Sequence, residues 1–146
     1  MVRLTLSGRV YLDTNIFIYA LEGYSTFRAV LTTLFGALDR CELAAITSEL
    51  TLAEVLVKPF LDRSIERERA YLQILQPSAS LQMVPVSRDV LIAAARLRAE
   101  TTMKLPDAIH AATAQITGCS YFLTNDTQLK TIPGLTILSL VELSRE

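Results

Sequence analysis

Short apolar runs alternate along the chain with longer stretches in which apolar residues recur every three or four positions. Val10–Leu12, Leu43–Thr47, Leu81–Val86, Tyr121–Leu123 and Leu135–Leu138 read as five strands, most of them bounded by polar or turn-forming residues. Pro85 cannot donate to a ladder, so the third run is predicted to lie at a sheet edge. Between the runs, Phe27, Val30, Leu31, Leu34 and Leu38 repeat at helical spacing behind Ser25, a residue suited to an N-cap. Ser48 is placed to cap a helix that runs to about Val57 and is interrupted at Pro59. Ile65, Leu72 and Leu75 line a further helix after Asp62, and Val90, Leu91, Ala94 and Leu97 line one after Ser87. Pro106 suits a first turn and Gly118 a helix end, with Ile109, Ala112 and Ile116 as the buried stripe between them.

Strands separated by helices imply crossover connections. They predict an α/β domain with a mainly parallel five-stranded sheet covered on both faces. Ligands of such sheets bind outside the carboxyl ends of the strands. With 146 residues, 51% of them hydrophobic, and no linker-like tract, the whole of 1–146 is expected to form one domain. The net charge of -1 gives no bulk attraction for a polyanion. A nucleic acid would have to be held by a local basic patch, by metal ions, or by both. Cys41 and Cys119 do not make a disulfide framework, and no apolar run has the length of a membrane span. With no leader-like segment at the N-terminus, the expectation is a cytoplasmic protein with reduced thiols.

Four acids stand where local structure alone does not require them. Asp13 follows Val10-Tyr11-Leu12, and Asp126 follows Tyr121-Phe122-Leu123 after two residues. Both therefore fall at the carboxyl ends of predicted strands, where an Asp also serves as an ordinary turn former or helix cap. Glu54 is surrounded by Leu50, Leu52, Ala53, Val55, Leu56 and Val57, a pattern expected of a buried helix. A carboxylate there is costly unless it is paired with an Arg or Lys, reaches solvent, or binds metal. Asp107 follows Pro106 in a first helical turn, a place the helix dipole also favours for an acid. If the four converge on one crevice, their repulsion calls for a counter-charge. Mg2+ or Mn2+, hard cations that take oxygen ligands, would supply it. The chemistry that suits such a centre is in-line attack of water on a phosphodiester.

At these residues the sequence resembles the PIN-domain family, in particular its VapC-type ribonuclease toxins. The segments are Tyr11-Leu-Asp13-Thr14-Asn15-Ile-Phe-Ile-Tyr-Ala20, Ser48-Glu-Leu-Thr-Leu-Ala-Glu54-Val55, Lys104-Leu-Pro-Asp107-Ala-Ile-His110-Ala-Ala-Thr-Ala114 and Leu123-Thr124-Asn125-Asp126, in the family's order. The resemblance implies a three-layer α/β/α fold with strand order 3-2-1-4-5. It also implies Mg2+- or Mn2+-dependent endonucleolytic cleavage of RNA leaving a 5′-phosphate, and it assigns Asp13, Glu54, Asp107 and Asp126 to the metal site. Thr124 resembles the hydroxyl residue that orients the first acid, and Asn15 its polar companion. A homodimer neutralised by an antitoxin whose tail enters the active-site groove is implied as well.

Other residues leave alternatives open. His110 lies one turn after Asp107 and is either a general base or, as the simpler reading has it, a helix residue that packs or bonds locally. Arg63, Arg67 and Arg69, interleaved with Glu66 and Glu68, form a solvated helix surface or an RNA-backbone or antitoxin contact. Lys104, close to Asp107, is the better candidate for a phosphate. Two rival functions share these features: a PIN-domain nuclease of RNA processing or DNA repair that is not a toxin, and a non-catalytic module that binds RNA or protein.

Overall fold

The computed structural model describes residues 6–126, 129 and 131–145. Its strands are β1 (Arg9–Leu12), β2 (Ala44–Ser48), β3 (Leu81–Val84), β4 (Tyr121–Leu123) and β5 (Thr136–Leu138). They form one parallel sheet in the order β3-β2-β1-β4-β5, as expected. Helices α1 (Thr14–Glu22), α2 (Arg28–Asp39), α3 (Leu50–Leu61), α4 (Ile65–Ile74), α5 (Arg88–Glu100), α6 (Leu105–Ile116) and α7 (Leu140–Ser144) complete it.

A parallel sheet with crossover helices buries both faces, and the period of two along each strand sends alternate side chains to opposite cores. Val10 and Leu12 enter a core built with Ile16 and Phe17 of α1, Leu34 of α2, Val55 of α3, Tyr71 of α4 and Leu140 of α7. Tyr11, between them, points the other way and joins Ile46, Phe122, Val90, Ala94 and the alanine-rich face of α6. Tyr11 is in register with Phe122, and the two rings stack with centroids 5.0 Å apart. From β1 the chain first builds outward through β2 and β3, then returns to place β4 on the other side of β1. Strand order therefore reverses between β1 and β4, and a crevice opens there at the carboxyl edge.

The predicted elements are present with several shifts. β3 stops at Val84, immediately before Pro85, and is an edge strand. Ser87 caps α5, its hydroxyl accepting from Val90 N–H at 3.2 Å. Ser25 does not cap α2: it starts a 3-10 turn, Ser25–Phe27, and α2 begins at Arg28 without a side-chain cap. Ser48 accepts from Leu50 N–H at 3.0 Å and so caps from one residue before the helix boundary at Glu49. Pro59 does not interrupt α3, which runs on to Leu61. It falls in the last turns, where its missing N–H forfeits a single bond, and the helix closes normally as Asp62 N–H donates to Lys58 C=O at 2.9 Å. Nor is α3 buried all round, because Val57, Phe60 and Leu61 lie exposed on its outer face. No helix among the described residues is long and apolar enough to cross a membrane.

Candidate active site

Asp13 ends β1 and opens α1. Its backbone is extended, as an N-cap requires, and Oδ1 accepts from Thr14 N–H at 2.9 Å. Its other oxygen, Oδ2, accepts from the Thr124 hydroxyl at 2.7 Å. Thr124 is buried just beyond β4, and its hydroxyl oxygen accepts in turn from Asn15 Nδ2 at 3.2 Å and from Asp126 N–H at 3.0 Å. The Asn15 carbonyl takes Asn125 N–H at 3.1 Å. Thr124 and Asn15 thus clamp the loop after β4 against the start of α1, and the loop carries Asp126 into the same crevice as Asp13. A donor at each oxygen leaves Asp13 with little rotational freedom.

Behind this, Thr47 of β2 donates to Leu12 C=O at 2.8 Å and pairs with Thr51 of α3, also at 2.8 Å. The buried threonines tie the end of β1 to the first turn of α3. One turn further along α3 stands Glu54, whose side chain remains 33% exposed at the crevice rim. Among the described residues it pairs with neither Arg nor Lys. Its Oε1 accepts from Thr14 Oγ1 at 2.8 Å and meets His110 Nε2 at 2.5 Å. His110 is itself buried on α6, with Nε2 3.9 Å from Asp13 Oδ1 and Nδ1 2.6 Å from the Tyr11 hydroxyl. His110 packs as the simpler reading has it, edge-on against Tyr11, but its hydrogen bonds are long-range rather than local. Tyr11 and Thr14 were not singled out from the sequence. A tyrosine two residues before Asp13 on one strand face, and a histidine three after Asp107 on one helix face, were the available signals.

Asp107 lies in the first turn of α6. Partial burial pushes its carboxyl pKa up, and the negative charges of Asp13, Asp126 and Glu54 push it the same way, against the opposing influence of His110. Each of the other three acids is therefore close enough to be felt electrostatically. At Glu54 burial acts upward, but the hydrogen bonds from His110 and the Thr14 hydroxyl act downward and leave the carboxyl below its ordinary value. Burial, followed by the charge of Asp13, holds the Tyr11 hydroxyl well above the ordinary tyrosine range, so it stays a proton donor.

Asp13 and Asp126 follow β1 and β4, Glu54 is on α3 and Asp107 on α6; Asp107 feels the charge of the other three, and Asp107 and Asp126 line one groove. Among the described residues no three side chains of the His, Cys, Asp and Glu type are preassembled around one point to hold an ion. The donor set facing the crevice is nonetheless made almost wholly of carboxylate and hydroxyl oxygens, the ligand chemistry of Mg2+ and Mn2+ rather than of softer metals. Burial is the first cause of the raised proton affinity of Asp107, and the neighbouring carboxylates add to it; a cation would relieve the second cause. On both counts the residues fit a hard divalent ion.

A groove of about 630 Å3 leads away from the acids, lined by Thr101, Met103, Lys104, Asp107, Asp126 and Thr131. Lys104 reaches it from the N-cap of α6. Arg67 is occupied elsewhere, bridging Glu22 of α1 at 3.1 Å and Asp62 at 2.6 Å, which gives that member of the arginine stretch a structural partner set.

A model of the PIN domain matches residues 10–135. No curated protein matches the chain in sequence. Among solved structures, a chain of a toxin–antitoxin complex from Klebsiella pneumoniae is 27% identical with a TM-score of 0.66, the match covering 90% of this chain and 97% of that one. A chain of VapBC2 from Rickettsia felis, bound to a promoter DNA fragment, has a TM-score of 0.71 at 20% identity over 90% of this chain and 98% of that one. VapC20 of Mycobacterium tuberculosis, described as a sarcin-ricin loop cleaving toxin, has a TM-score of 0.60 at 15% identity over 86% and 98%. The last two likenesses are likenesses of fold.

Proposed function

The chain belongs to the PIN domain family, a family of nucleases, and from that premise we propose that it is a Mg2+- or Mn2+-dependent endoribonuclease, the toxin of a type II toxin–antitoxin pair, acting in the cytoplasm. The observation that carries the reading is the placement of the acids at the strand-order reversal: Thr124 ties Asp13 to the Asp126 loop, His110 stands beside both Asp13 and Glu54, and Asp107 and Asp126 line one groove. Carboxylates brought close enough to repel one another are an arrangement that a bound hard cation would relieve.

When bound, a divalent ion supplies positive charge to the crevice and lowers the pKa of a water poised for in-line attack on phosphorus. Asp13, Glu54, Asp107 and Asp126 are the residues that would hold it. Thr124 and Asn15 keep Asp13 in one orientation, so its oxygens need no reorganisation when the ion arrives. Lys104, at the head of the groove, would contact a phosphate of the strand. The threonine hydroxyls and Met103 along the groove present a mixed polar and apolar wall that fits an unstacked nucleotide, the form in which RNA sequence is usually read. Attack that expels the 3′ oxygen leaves a 5′-phosphate on the downstream product.

The toxin assignment draws support from the likeness to a chain of a toxin–antitoxin complex from Klebsiella pneumoniae. An antitoxin segment that enters the groove and covers the acids would inhibit by excluding RNA. The protein is also read as a homodimer, and the exposed apolar residues Val57, Phe60, Leu61 and Ile65 offer surface that a protein partner would cover.

The test is to incubate purified protein with RNA in Mn2+ or Mg2+ and sequence the new ends, with Asp13→Asn as control. Cuts with 5′-phosphate ends, made by the wild type and absent with Asp13→Asn, are expected. A wild type that cuts no RNA in either metal, and whose melting temperature metal does not raise, would leave the non-catalytic module as the better account.

A further inference from the structure

The buried pair of Tyr11 and His110 lies behind the acids, and the nuclease reading does not use it. Tyr11 is fully buried and His110 only 1% exposed, so each polar atom must find its partner inside the protein. The tyrosine oxygen already accepts a backbone bond, Ser48 N–H at 3.1 Å. Its shortest side-chain contact is His110 Nδ1, 2.6 Å away, and that contact is where its single proton is assigned. With Nδ1 an acceptor, the imidazole proton sits on Nε2. That nitrogen faces Glu54 Oε1 at 2.5 Å, with Thr14 Oγ1 at 3.2 Å beside it. The Thr14 hydroxyl donates to the same Oε1 at 2.8 Å. Two donors thus converge on one oxygen of Glu54, while among the described residues Oε2 takes no hydrogen bond.

We propose that Tyr11, His110 and Thr14 are positioning residues that occupy one oxygen of Glu54 and leave the other turned to the acidic crevice to ligate a divalent cation. Glu54 is the most exposed of the four acids, on a flexible side chain, and two fixed donors are what distinguish a prepared ligand from a freely rotating one. The tyrosine acts at one remove. It sets which imidazole nitrogen carries the proton, as a partner on the far nitrogen commonly does. Were Nδ1 protonated instead, Nε2 would present a lone pair to the carboxylate and the clamp would repel. This inference rests on the metal-nuclease reading, but its proton assignment is testable without metal or RNA.

His110 is the sole histidine of the chain, so its imidazole signals in untagged protein are unambiguous. Nitrogen-15 NMR of the metal-free protein is expected to show the proton on Nε2 and a bare Nδ1; the opposite tautomer overturns the proposal. Titration calorimetry with Mn2+ then reads the function of the clamp. Tyr11→Phe is expected to weaken Mn2+ binding about 10-fold, and His110→Ala by more, within the range known for outer-shell partners of metal ligands. His110→Gln, whose amide presents N–H where Nε2 stands, is expected to restore most of the loss. In a Glu54→Gln background, Tyr11→Phe is expected to change Mn2+ affinity less than about twofold, because the effect passes through Glu54. Melting curves identify the folded variants, and Tyr11→Phe and His110→Gln serve should His110→Ala not fold. A Tyr11→Phe effect of equal size in both backgrounds, or no effect in either, overturns the proposal. A wild type that binds no Mn2+ overturns the nuclease reading instead, and the imidazole signals still decide whether the proton arrangement holds.

Discussion

Asp13 combines two duties at one carboxylate, capping α1 and facing the crevice. Substitution separates them. Asn caps a helix about as well as Asp, so Asp13→Asn is expected to keep its melting temperature while losing cleavage. Asp13→Ala is expected to lose cleavage and also about 1 kcal/mol of stability. A large loss of stability in metal-free Asp13→Asn would show that the charge itself holds the fold together. Asp107 behaves differently because its raised pKa makes the ionised form unfavourable in the folded protein. The stability this group offers is full below the pKa of an unfolded aspartate, about 3.9, and is lost as pH rises through the higher folded value. Metal-free Asp107→Asn, always neutral, is therefore expected to melt about 1–3 °C above the wild type at pH 7, a small shift because water screens the site. The gap is expected to narrow towards pH 4, and a gap that widens on acidification would refute the sign.

Each acid is carried by an element whose geometry does part of the positioning. β1 and β4 end next to each other and aim Asp13 and the Asp126 loop at one crevice, while α3 and α6 bring Glu54 and Asp107 from either side. Elements that do not touch the crevice should affect stability alone. Ser87→Ala removes the cap of α5 and is expected to cost about 1 kcal/mol in denaturant melts with cleavage unchanged. A loss of cleavage at full folding would mean that α5 does more than pack behind α6. The sequence marked α5 through its cap and period, but it misjudged α3. An apolar composition read as burial, whereas Phe60 and Leu61 lie exposed. Composition along one helix does not distinguish core from interface, since both bury apolar surface. Helix α1 was legible only by resemblance, because its near-continuous apolar run Ile16–Leu21 carries no clear period.

For the molecule as a whole, metal and partners are the quantities to measure. An ion bound by the folded state and not by the unfolded chain stabilises by mass action, about 2.7 kcal/mol at 100 times its Kd. Mn2+ at that excess is expected to raise the melting temperature, EDTA to abolish the rise, and Asp13→Asn to show little of it. Light scattering is expected to give twice the chain mass, and Leu61→Lys, at a position 77% exposed, to weaken any association that uses this face while leaving the monomer folded. A monomer for the wild type at micromolar concentration would remove the homodimer.

By itself the sequence determined the alternation of strands and helices, the parallel character of the sheet, and the local oddity of acids placed against apolar runs. All of these depend on short-range sterics and on the period with which side chains meet a core. The tertiary structure decided that the loop carrying Asp126 is tied to Asp13 through Thr124, and that a tyrosine on β1 meets a histidine 99 residues later on α6. Such encounters depend on which elements become neighbours. The pattern within a segment shows that a face will be buried, but the packing of the other segments chooses what it is buried against.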